Sequence, residues 1–245
     1  MGVLSVAGLA FAESYYPSDH LVRTFLPNDV INLVIGIPIL LGSIWLTGRG
    51  KLAGLLLWPG ALLYVIYNYI AYIIGIPFSL LTIAYTALVL LSAYTIIKLI
   101  NQIDSSLIKE QLSGKVFEKL AGWFLVIFGI LFILRAINIF VSAILARTVL
   151  PPTEIGVSIA DIVISILWII GGIFLLRRKP LGYTSGLGLL FAASMLFLGL
   201  VVFLIIQPLF TSTQFNLMDV IVVAIMGIFF SIPFALYLRG TLNSS

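Results

Sequence analysis

The sequence predicts an all-α integral membrane protein, a bundle of seven transmembrane helices, and three observations lead there. Of its 245 residues, 62% are hydrophobic and only 9% charged, whereas soluble domains carry about a quarter charged residues. Seven apolar stretches fill the chain from Val30 to Leu238, each close to the ~20 residues a helix needs to cross the hydrocarbon. None has the alternation of a strand, so their backbone groups must be bonded within helices and a barrel is excluded. Cysteine is absent, which rules out disulfides, thiolate metal sites and cysteine nucleophiles. A single histidine, His20, cannot build a multi-histidine haem or zinc site. No cofactor and no metal is expected.

Two regions are expected: residues 1–25, a short apolar segment with an external loop, and residues 26–245, a single seven-helix domain. The run from Val3 to Phe11 ends in Ala10-Phe11-Ala12 before Glu13. It resembles the apolar core and small-residue cleavage site of a signal peptide, without the basic leader. A retained half-length segment in the outer leaflet fits equally well, because nine apolar residues do not span. Glu13 to His20 follows as an external loop with interfacial tyrosines.

The expected spans are 30–47, 52–74, 77–100, 120–146, 156–176, 183–206 and 217–238. Between the third and fourth, Asn101 to Glu118 is the one long polar connection. Asp104 to Leu112 would make a short amphipathic helix on the membrane surface, broken near Ser113-Gly114, but a solvated linker is the favoured reading. Ten of the 13 basic residues fall on one side of the membrane: Arg49, Lys51, Lys98, Lys109, Lys115, Lys119, Arg177, Arg178, Lys179 and Arg239. By the positive-inside rule the N-terminus is therefore outside and the C-terminus, at Ser245, cytoplasmic. The net charge of +4 reflects this bias. It marks no nucleic-acid partner, since the basic residues are scattered over short loops.

Ionisable groups inside a span are costly unless paired or hydrated, so each is a candidate site. Arg135 lies deep in the fourth span, with Asn138 and Ser142 on the same helix face, a face expected to be turned from lipid. Asp161 is about one and a half turns inside the fifth, within a stripe of Ser158, Asp161, Ser165, Trp168 and Gly172 that should face the interior. Tyr64, Asn68 and Tyr72 recur every four residues on the second span, near Tyr67 and Tyr69. Asp29 and Asn32 open the first span and Asp219 the last. The candidate ligand-binding set is Arg135, Asn138, Asp161, Asn68, Asp219, Asn32 and Tyr72. Its concentration in the outer half predicts a polar vestibule closed below by apolar packing. The alternative is structural: Arg135 pairs with Asp161 or Asp219 and the asparagines tie helices together. Pro38, Pro59 and Pro233 can kink their spans, while Gly42, Gly171, Gly172, Gly186 and Gly188 are expected at close helix contacts.

Gly42 to Leu52 and Gly171 to Leu181 align without gaps at Gly, Ile, Leu, Arg and Leu, with Trp45 opposite Phe174. Such a match predicts a parallel 3+1+3 duplication. That arrangement resembles, in topology only, the SWEET sugar transporters, whose three-helix repeats flank a linker helix and enclose a central site. Pro38 and Pro59 have no counterparts in the fifth and sixth spans, so the resemblance carries architecture and no sugar-binding residue.

Other families fail on particular residues. A retinal protein needs a lysine in the last span, and Asn216 to Leu238 has none. Metal-dependent seven-helix hydrolases need several histidines. In diaspartyl intramembrane proteases a Gly-x-Gly-Asp motif carries the chemistry, but Gly188 is followed by Leu189. A Ser/His pair has only His20 to draw on. The expectation is a non-enzymatic, transporter-like protein of a prokaryotic cytoplasmic membrane, handling a small solute or lipid. A seven-helix receptor and a structural subunit of a membrane complex remain as alternatives. Expected partners are membrane lipids, a small-molecule or lipid ligand, and a second copy or a membrane complex.

Overall fold

A computed structural model describes residues 1–244; Ser245, the end expected in the cytoplasm, lies outside them. The elements are α1 (Gly2–Ala10), α2 (Ala12–Tyr15), α3 (Asp19–Ile31), a π-helical turn (Asn32–Gly36), α4 (Ile37–Gly48), α5 (Leu52–Gly75), α6 (Leu80–Gln102), α7 (Ser105–Leu112), α8 (Glu118–Ala146), α9 (Pro152–Leu176), α10 (Pro180–Phe210) and α11 (Leu217–Leu242). Seven helices are long and apolar enough to cross a membrane. The first is the rod Asp19–Gly48, and the others are α5, α6, α8, α9, α10 and α11. The chain is a polytopic, all-α seven-helix membrane protein.

Three boundaries depart from expectation for local reasons. The first span starts at Asp19 rather than at residue 30, because the Ser18 hydroxyl accepts from the Leu21 N–H and caps the helix there. Hydropathy marks only the part of a helix that needs lipid, and at 1.5 Å per residue a 30-residue rod measures about 45 Å, longer than the ~30 Å hydrocarbon core. The third span starts at Leu80, since Ser79 and Thr82 form a reciprocal capping box just after Pro77. Residues 105–112 form a helix, which corrects the solvated-linker expectation. Asp104 caps it by accepting from Ser106 N at 2.9 Å and Leu107 N at 3.2 Å, while Ile108 and Leu112 are buried in the main core beside α10.

The connections divide the bundle into a basic face, which carries the ten clustered Lys and Arg, and an N-terminal face. Helices α5, α9 and α10 are the most buried. α5 and α10 both run from the basic face and cross where Gly60 meets Gly188. A Cβ on Gly188 would lie 2.8 Å from the Leu56 carbonyl oxygen and 3.1 Å from Gly60 N, so the backbones touch where side chains are missing. Gly122 and Gly172 do the same between α8 and α9. About halfway along, Phe124, Phe128 and Phe132 of α8 meet Trp168, Phe197 and Phe230 in one aromatic layer, with ring centroids 4.4 Å apart for Phe128 and Phe230 and 5.6 Å for Phe132 and Trp168.

The two turns leading into α5 and α10 share one backbone path. Arg49 (φ −88°, ψ 9°) and Arg177 (φ −83°, ψ 4°) end their helices, and Gly50 (φ 70°) and Arg178 (φ 51°) follow in the left-handed region. Lys51 N then bonds Leu46 O at 3.1 Å, and Lys179 N bonds Phe174 O at 2.8 Å. Gly54 and Gly182 each leave no room for a Cβ against the last turns of the preceding helix. This geometry pairs Arg49 with Arg177, one residue out of the alignment by sequence identity, which pairs Arg49 with Arg178.

Candidate functional site

Arg135 projects from α8 on the same side as Phe128 and Phe132, which lie two turns and one turn nearer the basic face and pack against Phe230 and Trp168 respectively. Towards the N-terminal face this side of α8 loses its cover. Phe230 is the first fully buried residue of α11, and everything from Leu217 to Phe229 is exposed or half-buried. Arg135 thus sits one turn beyond Phe132 of the aromatic layer, on a part of α8 that the bundle leaves uncovered. Its Nη1 pairs with Asp161 Oδ2 of α9, while Asp161 Oδ1 accepts from the Tyr67 hydroxyl of α5 at 2.9 Å. One side chain therefore ties three helices together. The pair is lopsided: the Asp161 side chain is 1% exposed and that of Arg135 is 53%.

The face of α8 that carries Arg135, Asn138 and Ser142 is not covered by the rest of the bundle. Asn138 and Ser142 are exposed and have no hydrogen bond among the described residues. The α9 stripe does face inward. Ser158, Asp161, Ser165 and Trp168 are all buried, but Ser165 Oγ and Trp168 Nε1 have no partner. A buried polar atom left unpaired costs about 1–3 kcal/mol, so two of them directly below Asp161 mark a place where polar bonding is incomplete.

The remaining candidates divide among other positions. Asp29 is 1% exposed. It accepts from the Tyr16 hydroxyl at Oδ2 and from the Tyr72 hydroxyl of α5 at Oδ1, the latter at 3.0 Å. Asn28 Nδ2 donates to the Tyr72 hydroxyl at 3.3 Å, and Ser5 of α1 meets the Tyr69 hydroxyl at 3.5 Å. Burial first, and then the Asp29 charge, push the Tyr16 hydroxyl far above the ordinary phenol range, so it remains a donor. Asn32, three residues after Asp29, is buried with neither amide atom bonded. Asn68 is buried too, but its Nδ2 donates to Tyr64 O of its own helix at 2.9 Å, so it lines no vestibule. Asp219 is exposed at the start of α11. It is not paired with Arg135, whose partner is Asp161.

Sequence spacing missed two contributors. Tyr67 was seen only as a neighbour of the Tyr64, Asn68 and Tyr72 row; it lies off that row, on the side facing α9. Tyr16 was read as a loop residue, yet it is buried against Asp29. No group of three His, Asp or Glu side chains suited to a metal ion occurs among the described residues. Comparison of the chain with family models, with curated proteins and with solved structures finds no match.

Proposed function

We propose that this protein is a non-enzymatic, transporter-like membrane protein that takes up a small solute or lipid bearing an anionic group, with Arg135 as the group's counter-charge. The observation behind this is the lopsided pair: Asp161 is sealed while the guanidinium it holds is half exposed. Enclosing a charge is costly unless its partners are ideal, and the Arg135 guanidinium is not enclosed. Here the cation is presented instead, above an aromatic layer that would receive an apolar body and beside two donors without partners, Ser165 Oγ and Trp168 Nε1. Asp161 then holds Arg135 while no anion is bound. The charge bias supports an N-terminal face, and so an open side, on the outside of the membrane, taken as a prokaryotic cytoplasmic membrane. The paired turns before α5 and α10, and the glycine crossing of those helices, favour two parallel three-helix units that can move against each other about the Gly60–Gly188 contact.

One observation favours a second reading. Asn138 and Ser142 leave a polar stripe uncovered on α8, as a structural subunit would if that stripe met a partner helix. A panel of small organic anions and anionic lipids, screened by thermal unfolding of the purified protein, separates the two. The transporter-like reading expects at least one anion class to stabilise the wild type, Arg135→Gln to lose that response, and the same compound to move into liposomes holding the protein. Binding without flux would favour a receptor. No response to any anion, together with a partner chain that crosslinks at Asn138, would establish the structural subunit.

A further inference from the structure

Asp29 poses a charge problem that the Arg135 site does not touch. Its carboxyl is almost fully buried near the N-terminal face, and no Lys, Arg or His pairs with it; the one ion pair among the described residues is Arg135–Asp161. Both its oxygens accept from hydroxyls, Tyr16 at one and Tyr72 at the other. The Tyr72 hydroxyl accepts from the Asn28 amide and has two acceptors for its one proton, Asp29 Oδ1 at 3.0 Å and the Phe25 carbonyl oxygen at 3.3 Å, of which the carboxylate is the nearer. Two acceptor oxygens are the bonding pattern of an ionised carboxylate. An isolated buried carboxylate costs several kcal/mol, and two neutral hydroxyls do not neutralise it.

The second observation is Asn32. It is 0% exposed, and neither its Oδ1 nor its Nδ2 has a partner. Three residues on from Asp29, it shares that helix face. It also opens the π-helical turn, in which Ile37 N reaches back to Asn32 O. Such turns are rare and occur frequently at functional sites. On the other side α1 closes over the carboxylate: a Cβ on Gly8 would run into Asp29 Oδ2 and lie 2.7 Å from the Tyr16 hydroxyl.

We infer that Asp29 and Asn32, with the hydroxyls of Tyr16 and Tyr72, form a binding site for a monovalent metal cation of the sodium class. The donors are all oxygen, which suits a hard cation. A single carboxylate balances a single positive charge, and no other carboxylate acts on Asp29 to favour a divalent ion. The site goes beyond the proposed handling of an anion: it is built from Tyr16 before α3, Asp29 of α3, Asn32 of the π-helical turn and Tyr72 of α5, whereas the Arg135 pair lies on α8 and α9.

The test uses the full-length protein in detergent, unfolded thermally in chloride salts of sodium, lithium, potassium and N-methyl-D-glucamine at constant ionic strength, with direct binding of radioactive sodium. The expected result is a saturable rise in Tm with a small metal cation over N-methyl-D-glucamine, and saturable sodium binding, both lost in Asp29→Asn. Asn32→Leu carries the test if Asp29→Asn fails to fold. Replacing an unbonded buried amide by an apolar group of similar size keeps or raises the basal Tm, while sodium affinity falls by about tenfold or more, equivalent to ~1.4 kcal/mol. Arg135→Gln keeps the cation response. Equal Tm in all four salts with no sodium bound overturns the site. So does a Tm that follows pH but no metal cation, since Asp29 then takes a proton. An Asn32→Leu protein that binds sodium as the wild type does overturns it as well.

Discussion

Removing the Arg135 charge leaves Asp161 almost completely buried with only the Tyr67 hydroxyl as partner. Breaking a well-buried pair costs about 3–5 kcal/mol, and because half of the Arg135 side chain is exposed, the lower end, ~3 kcal/mol, applies. For a chain of this length each kcal/mol moves Tm by about 2–4 °C. Arg135→Leu should therefore lower Tm by roughly 6–12 °C. The reverse change is milder. Asp161→Asn keeps an acceptor for Tyr67 and frees a guanidinium that can already reach its surroundings, so its cost should stay within ~1 kcal/mol, as for exposed pairs. The double variant Arg135→Leu/Asp161→Asn removes the stranded charge and should recover most of the loss. Thermal unfolding in detergent, followed by fluorescence of the four tryptophans, measures all three. A single Arg135→Leu variant as stable as wild type, or a double variant no better than the single, would refute the picture of a sealed Asp161 held by a presented cation.

Other expectations concern packing and orientation. Gly188→Ala puts a Cβ 2.8 Å from the Leu56 carbonyl oxygen, where backbone has to move, so it should destabilise by about 1–3 kcal/mol, as overpacking does. Gly42→Ala, with nothing within 4 Å of the new Cβ, should be nearly neutral in the same unfolding assay. For topology, a reporter fused after the last residue should be cytoplasmic and one near Tyr16 external; labelling of the Gln102 to Lys115 connection from outside intact cells would reverse the assignment.

Spans were legible in the sequence because hydropathy reports what lipid requires, and all seven lie where apolar runs predicted them. What extends past the hydrocarbon was not. The turns of α3 between Asp19 and Asn28 mix polar with apolar residues, and the Ser18 cap fixes their start. The Arg135–Asp161 pair could be narrowed by depth to two carboxylates, and the structure chooses Asp161 because α9 packs directly on α8 while Asp219 stands exposed on α11. Asn68 shows the limit of spacing. A row of one residue every four identifies a face, but an amide on that face can turn back to its own helix, as Asn68 does to Tyr64 O. The uncovered side of α8 was equally hidden. Exposure there depends on which helices pack against α8, and α11 is apolar along nearly its whole length, so nothing in its composition marks that its first buried residue is Phe230.

The most direct test of the central claim, that Arg135 is presented in a water-reachable opening on the N-terminal face, is thiol labelling in the cysteine-free chain. Cysteine introduced for Asn138 should react with small, membrane-impermeant thiol reagents added outside, since thiolates form readily only where water reaches. At Asn68, which is buried and bonded to Tyr64, a cysteine should stay silent, as should one at Ile166. Rapid labelling at Asn138 alone is the predicted result. An Asn138 cysteine that stays unreactive in a folded, correctly inserted protein would contradict the account and identify this face of α8 as a dry interface.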